Sequence, residues 1–326
     1  MRYVVGVDVG GTNVVVGTLA EDGTSLRGLM TEPTHLDGGP DATVSQITRL
    51  VLASLTATRE ELGSDTEIIG VGIGSPGPLD TESGTVLLTP NLRWTNMPLR
   101  DRVSSAVGLP ASLDNDANCA VLGEWWCGAA RGGRVVVGLT IGTGIGGGIV
   151  LDGEIFHGAS GVAGEIGHAT IDQTGRLCNC GNYGCLEAYA SGPAIARRAL
   201  EGLEAGAPSR LPEYVGGDLS RITAQTVSEA ARDGDTFCLD VIRETALFLG
   251  GAIANLVNIF NPDTVVICGG VTLAGNHLFE PLYNQVRRRA FAPAVGACKI
   301  VAGALPGTAG VYGAVASFNA QTRAKA

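Results

Sequence analysis

Nowhere in the 326 residues do about 18 apolar residues run uninterrupted, so no segment reads as a membrane span. Positive charge is scarce. The formal net charge of −10 leaves no basic face for a nucleic-acid backbone, while a small substrate in a local pocket stays compatible. The opening residues MRYVVGVDVGGTN enter a strand pattern without a charged leader, apolar run and cleavage site, so no signal peptide is expected. Low-complexity tracts are missing, apart from a polar Ala/Lys tail after Phe318. A disulfide framework is missing too, although the chain has eight cysteines. Cys178, Cys180 and Cys185 crowd one short loop; Cys119, Cys127, Cys238, Cys268 and Cys298 lie scattered in apolar or helical segments, as small buried hydrophobes do. That distribution points to metal in a cytoplasmic protein. What remains, 45% hydrophobic and 17% charged, is the composition of a soluble globular chain long enough for two domains.

The chain reads as one plan written twice. Strands at 2–9 and 14–20 flank a tight turn, and a third strand follows near 24–31. Val44, Ile47, Leu50, Val51 and Leu55 recur at helical spacing. A strand at 67–73, a helix near 97–107, a strand at 111–114 and a helix from about 117 complete the first copy. The second has strands at 134–141, 146–151 and 154–156, helices at 187–204 and 223–260, and a strand at 264–268. A helix at 276–291, a strand at 298–301 and a helix at 306–319 close it. Such a duplication implies an α/β fold of two like domains facing each other across a cleft, with the cysteine loop inserted in the second. The expected division is 1–117 plus 304–326 against 118–303.

Each copy opens on strand, glycine turn, strand: Asp8-Val9-Gly10-Gly11-Thr12-Asn13, and Ile141-Gly142-Thr143-Gly144. Glycine lets backbone N–H groups approach an anion, and the threonine hydroxyls add donors. Asp8, at a strand end, suits a magnesium ion held through water. Ordinary hairpins use the same glycines; equivalent placement in both copies favours a nucleotide's phosphates gripped from two sides. Gly269-Gly270, after the strand at 264–268, offers a flat backbone for adenosine at the sheet's carboxyl edge.

His168, Cys178, Cys180 and Cys185 form a donor set for tetrahedral Zn²⁺. Reduced core cysteines or a redox pair are the competing readings; a glycine-rich polar loop makes a poor core, and the spacing is wrong for the redox pair. Four protein ligands leave no open position, so the ion is expected to be structural. Glu165 and Glu187 flank the set, and folding the loop around zinc would bring these two sugar-hydroxyl acceptors to one wall; alternatively, Glu187 is simply an acidic residue in a first helical turn.

Asp114-Asn115-Asp116-Ala117-Asn118 lies where a strand hands over to a helix. Asp116 is the candidate base for a phosphoryl transfer, ionised by the helix N-terminus, and Asn115 the candidate to hold a neighbouring hydroxyl. Helix capping explains the same residue types equally well.

Taken together these segments resemble the ROK family (repressors, open reading frames and sugar kinases), and within it the bacterial glucokinases, over essentially the whole chain. Asp8-Val-Gly-Gly-Thr12 resembles its first phosphate motif, Asn115-Asp116-Ala-Asn118 its catalytic segment, Glu165-Ile-Gly-His168 its sugar motif, and Cys178-x-Cys180-Gly-x-x-Gly-Cys185-x-Glu187 its zinc signature. The resemblance implies a duplicated actin-like (ribonuclease H-like) ATPase fold, usually in homodimers or homotetramers. It also implies an ATP- and Mg²⁺-dependent hexose kinase acting on the 6-hydroxyl, best read as D-glucose to glucose 6-phosphate. Asn115, Asp116, Glu165, His168 and Glu187 would hold the sugar, with His168 also on zinc. Gly77, in Gly74-Ser-Pro-Gly77-Pro, and Asn91, in Asn91-Leu-Arg-Trp94, are similar to further stretches of the substrate cleft.

N-acetylmannosamine, N-acetylglucosamine, mannose, fructose and allose kinases share every motif named. The family's sugar-responsive repressors add an N-terminal DNA-binding domain, for which a phosphate hairpin at residue 8 leaves no room; the acidic balance agrees. A zinc-dependent nucleic-acid module fails on the same charge argument. An actin- or chaperone-type ATPase without a small substrate leaves Glu165, His168 and Glu187 unexplained.

Overall fold

The structure, a computed structural model, describes residues 1–89 and 91–323; the end of the expected polar tail, 324–326, lies outside them. The first copy comprises β1 (Arg2–Val9), β2 (Asn13–Ala20), β3 (Leu26–Pro33), α1 (Gly39–Leu62), β4 (Glu67–Ser75), β5 (Leu79–Asp80), β6 (Thr85–Thr89), β7 (Trp94–Met97), α2 (Leu99–Val107), β8 (Ala111–Asn115) and α3 (Asp116–Trp126). The second comprises β9 (Val135–Ile141), β10 (Ile145–Leu151), β11 (Glu154–Ile155), α4 (Glu187–Ala190), α5 (Gly192–Glu204), α6 (Leu211–Tyr214), α7 (Ala224–Arg232), α8 (Thr236–Phe260), β12 (Thr264–Cys268), α9 (Asn276–Arg289), α10 (Ala292–Ala297), β13 (Lys299–Ala302) and α11 (Ala309–Arg323).

The expected duplication is visible in the sheets, whose orders are β3-β2-β1-β4-β8 and β11-β10-β9-β12-β13. In each, an antiparallel hairpin leads into parallel strands that need helical crossovers. By packing, the chain divides into two compact units. One holds Met1–Arg134, Gly148–Gly164 and the stretch from Ala304 onward; the other holds Val135–Gly147 and Glu165–Gly303. The expected division at residue 117 falls inside α3, and the first unit keeps that helix because α3 packs closely on α11.

In the first unit β1 is buried along nearly its whole length, as a central strand covered on both faces must be. Ile47, Leu50, Val51 and Leu55 of α1 pack one face with Val5, Val7, Ile73 and Leu113; Val311, Val315 and Phe318 of α11 pack the other with Val4 and Leu19. Helices α3 and α11 meet almost backbone to backbone: a Cβ at Gly313 would stand 1.5 Å from the Cys119 carbonyl oxygen. The buried Glu124 carboxylate ties α3 to the segment that leads into α11, accepting the N–H groups of Ala129, Ala304 and Leu305 at 2.8–2.9 Å.

Three differences from the sequence reading have local causes. A small antiparallel sheet, β5-β6-β7, fills a stretch where no strand was expected; its strands are two to five residues long, too short for a periodic signal. The expected helix at 223–260 is two, because Gly234 takes a left-handed φ of 87° and Asp235 caps α8 by accepting the Cys238 N–H at 2.9 Å. The expected helix at 187–204 likewise breaks at Ser191, which caps α5. Among the described residues no helix is long and apolar enough to cross a membrane.

Gly313→Val should destabilise the first unit by at least about 2 kcal/mol through overpacking. Gly251→Ala in α8, where a Cβ meets nothing within 4 Å, should instead stabilise the second by about 0.5–1 kcal/mol. Urea unfolding of both variants against the parent chain checks the two signs.

Candidate active site

Parallel register sets the first cluster. Asp8 of β1 pairs with Gly74 of β4, and Gly74 with Asp114 of β8, so the carboxyl ends of three strands finish level. The turn after β1 closes through Gly10 N–H to Asn13 O at 2.8 Å, and is braced by Thr34, whose hydroxyl donates to Gly10 O at 2.7 Å. Thr12 and Asn13 are exposed at its tip. The Asn91 amide nitrogen is 4.0 Å from the Cβ position of Gly11, which joins that predicted residue to the turn. Gly77 has a φ of 93° and a Cβ position 2.2 Å from Leu88 O, so its role is to let the Gly74–Pro78 segment pass against β6.

Asp116 opens α3, with Asn115 as its cap: the Asn115 Oδ1 accepts from Ala117 N at 2.9 Å and Asn118 N at 3.1 Å. The capping reading therefore holds for Asn115, whose amide N–H₂ alone is left to meet a hydroxyl. Asp8 feels Asp116. Burial first, and the Asp116 carboxylate second, push the Asp8 acid up to about 7. The Cβ position of Gly310, in the first turn of α11, is 2.3 Å from Asp8 Oδ2, so Asp8 also rests against a helix N-terminus.

Sequence reasoning missed the anchor beneath this cluster. Asp114 is 1% exposed and accepts from Asn115 N at 2.8 Å and Ser317 Oγ at 3.0 Å, with His157 Nε2 3.1 Å from both of its oxygens. Hydrogen bonding to that carboxylate raises the His157 pKa against the opposing effect of burial. No spacing rule connects residues 43 positions apart.

The second unit gathers a different cluster. Ligand atoms of His168, Cys178, Cys180 and Cys185 all lie within 4.8 Å of one another. Cys180 Sγ is 3.7 Å from Cys185 Sγ, and Cys178 Sγ 3.7 Å from His168 Nδ1. A tetrahedron with zinc–sulfur bonds of about 2.3 Å has edges of about 3.8 Å, so the donors already stand at metal-binding separations. Glu165 precedes the short 3₁₀ turn Ile166–His168 and is exposed. Glu187, first residue of α4, accepts the Ile145 N–H at 2.8 Å just past the Gly142-Thr143-Gly144 turn. The Gly269 Cβ position is 2.0 Å from Ile141 O, so the third glycine pair abuts the strand end that carries this turn. Gly270 directly follows it and begins a 3₁₀ turn. All of the second unit's predicted residues thus belong to one connected patch except Glu165, which joins it through the backbone of its own turn.

A family model described as the ROK family matches residues 4–321. A glucokinase of Thermotoga maritima is 40% identical over 311 residues, covering 95% of each chain. A xylose repressor of Caldicellulosiruptor bescii is 40% identical over 249 residues, which is 76% of this chain and 62% of that one. Among solved structures, a ROK family glucokinase of Streptomyces griseus in complex with glucose and AMPPNP superposes with a TM-score of 0.82 at 34% identity, covering 98% of this chain and 99% of that one.

The Asp8 shift fixes a sign. Between its ordinary value and about 7 the folded chain binds the proton more tightly than the unfolded chain, so raising the pH through that window costs stability. Asp8→Asn removes this loss. Without divalent cations, the variant should gain on the order of 4 kcal/mol over the parent above that window, and nothing below it. Thermal midpoints across the pH range check it.

Proposed function

The chain belongs to the ROK family, and from that premise we propose that it is an ATP-dependent glucokinase, moving the γ-phosphoryl group of ATP to the 6-hydroxyl of D-glucose. The observation that carries the reading is the proximity of Asp116 to Asp8: a carboxylate at a helix N-terminus stands beside the glycine turn suited to phosphate. Asp116 takes the proton as the sugar oxygen bonds to the γ-phosphorus, and the bond from that phosphorus to the bridging oxygen breaks to release ADP. Backbone N–H groups at Gly11, Thr12 and Asn13, and at Thr143 and Gly144, suit the phosphates, while the N–H groups of Gly10 and Gly142 close their turns; Gly269 and Gly270 suit the adenosine. Mg²⁺ neutralises phosphate charge when bound, and Asp8 would hold it through water. The raised Asp8 pKa, set first by burial and second by Asp116, is one that a nearby cation would lower.

Asn115, Glu165, His168 and Glu187, with Gly77 and Asn91 as further contacts, are the proposed sugar residues. His168, Cys178, Cys180 and Cys185 would hold structural zinc, which the observed donor separations favour. The cytoplasm is the proposed location, in keeping with the unbridged thiols of Cys178, Cys180 and Cys185 in one loop, and a homodimer or homotetramer the proposed assembly. A repressor is the second reading, because several relatives are named as such; the match to the xylose repressor spans 62% of that protein, against 95% for the glucokinase.

A coupled ADP-release assay over glucose, mannose, fructose, allose, N-acetylglucosamine and N-acetylmannosamine should give glucose the highest kcat/KM. No ADP release from any sugar would sink the kinase reading. Asp116→Asn should lower turnover by about 10³-fold or more with sugar affinity retained; near-parental turnover would remove Asp116 as the base. Cys180→Ala should lose zinc on metal analysis and lose activity with it, and stoichiometric zinc in that variant would refute the ligand set.

A further inference from the structure

Glu187 touches two things at once. Its Oε2 accepts the Ile145 N–H at 2.8 Å, and its Oε1 lies 3.9 Å from Cys178 Sγ. A Cβ at Gly144 would stand 2.4 Å from Oε2, so the carboxylate occupies the space that any other residue at 144 would fill. The other shoulder of the turn is held from the same stretch of chain: Gly192 N–H donates to Gly142 O at 2.8 Å. Residues 187–192 thus clamp the second glycine turn at both ends, and they begin two positions after Cys185. The far side of Ile145 is close-packed too, since its carbonyl oxygen lies 2.0 Å from the Cβ position of Gly167, between Glu165 and His168.

Resting on the kinase reading, we propose that Glu187 is a positioning residue for the second phosphate turn, and that through it the nucleotide affinity of that turn depends on the ordering of the cysteine loop. From the sequence, this glutamate is expected to meet a sugar hydroxyl or to sit in a first helical turn, with no part in the glycine turn. A carboxylate fixing a turn amide predisposes the neighbouring N–H groups toward an anion without being a ligand itself. Loosening the loop releases the carboxylate, and the turn loses its shape before any phosphate arrives.

The test is calorimetric titration of Mg²⁺ and a non-hydrolysable ATP analogue into the full chain without sugar, with zinc content measured on each sample. Glu187→Ala should weaken analogue binding about tenfold, the usual worth of a hydrogen bond to a charged acceptor. Glu187→Gln keeps an acceptor oxygen and should restore affinity to within about threefold. Glu165→Gln, on the sugar wall but off the turn, should leave analogue binding unchanged. Zinc chelation should weaken the parent as much as Glu187→Ala does and add little to that variant, the signature of two changes acting through one contact. Hydrogen exchange at the Ile145 amide should speed up in Glu187→Ala and on chelation alike. Should Glu187→Ala fold poorly or lose zinc, Gly144→Ala displaces the carboxylate with the glutamate intact and should weaken the analogue similarly. Parental analogue affinity together with unchanged Ile145 exchange in the alanine variants would overturn the proposal, as would chelation and substitution effects that multiply. A parent chain that binds no analogue at all would instead refute the kinase reading.

Discussion

Negative charge concentrated at one sheet edge is the constraint around which the first unit is built. Asp8, Asp114 and Asp116 lie near enough to one another that all three raise the pKa of the buried Cys119 thiol, after burial itself. Like charges at such separations repel strongly in a partly dry setting, so each must be answered locally. Asp114 is answered by His157, Ser317 and the Asn115 amide. Asp116 begins one helix and Asp8 abuts the first turn of another, so both draw on helix N-termini. Asp8 still has its pKa pushed up to about 7, first by burial and then by Asp116, so the helix N-terminus does not offset both.

The second unit repeats the strand-turn-strand plan without repeating the solution. Aligning Asp8-Val9-Gly10-Gly11 with Thr140-Ile141-Gly142-Thr143 sets a threonine where the first copy has its aspartate. The carboxylate next to the second turn arrives instead from α4, as Glu187, and it grips backbone N–H where Asp8 faces another acid. Duplication therefore keeps the strand-turn-strand order, while the turns close differently, Gly10 N–H on Asn13 O and Gly142 N–H on Gly144 O, and meet different carboxylates. One turn stands beside two neighbouring carboxylates, Asp8 and Asp116; the other has its backbone held by one, Glu187.

Strand ends and turns were open to sequence reading because their signals are local: β-branched runs broken by paired glycines, and an Asn-Asp pair at a strand–helix handover. The cysteine cluster was open for the same reason, with three of its four donors within eight residues. Long-range answers to charge were closed to it. The Asp114–His157 pair and the Glu187–Ile145 bond join residues 43 and 42 positions apart, and nothing in either neighbourhood advertises its partner. The small β5-β6-β7 sheet was hidden because strands this short express no period. The break at Asp233-Gly234-Asp235 was written in turn residues, but the apolar spacing of α7 and α8 runs on across it, and periodicity was given the greater weight.

The cysteine loop shows why a kinase of this kind would carry a metal that takes no part in the chemistry. Between Ala169 and Leu186 the chain has little to bury: Leu177 and Tyr183 pair across a bridge but are 59% and 55% exposed. The apolar support is a small cluster of Cys178, Cys185, Ala188 and Tyr189 against Ile171 and Phe248. Tyr189 adds polar ties, its hydroxyl accepting from Arg176 N at 2.7 Å and donating to Asp172 Oδ2 at 3.1 Å. Such a core is too thin to offset the entropy of ordering so long a loop. Burial pushes the Cys185 thiol up to about 12, whereas the Asn182 backbone lowers Cys180. Zinc at this donor set would turn the thiols into ligands and supply folding free energy where hydrophobic burial falls short. The loop leads straight into Glu187, so ordering it also orders the carboxylate that holds the Ile145 amide beside the second glycine turn.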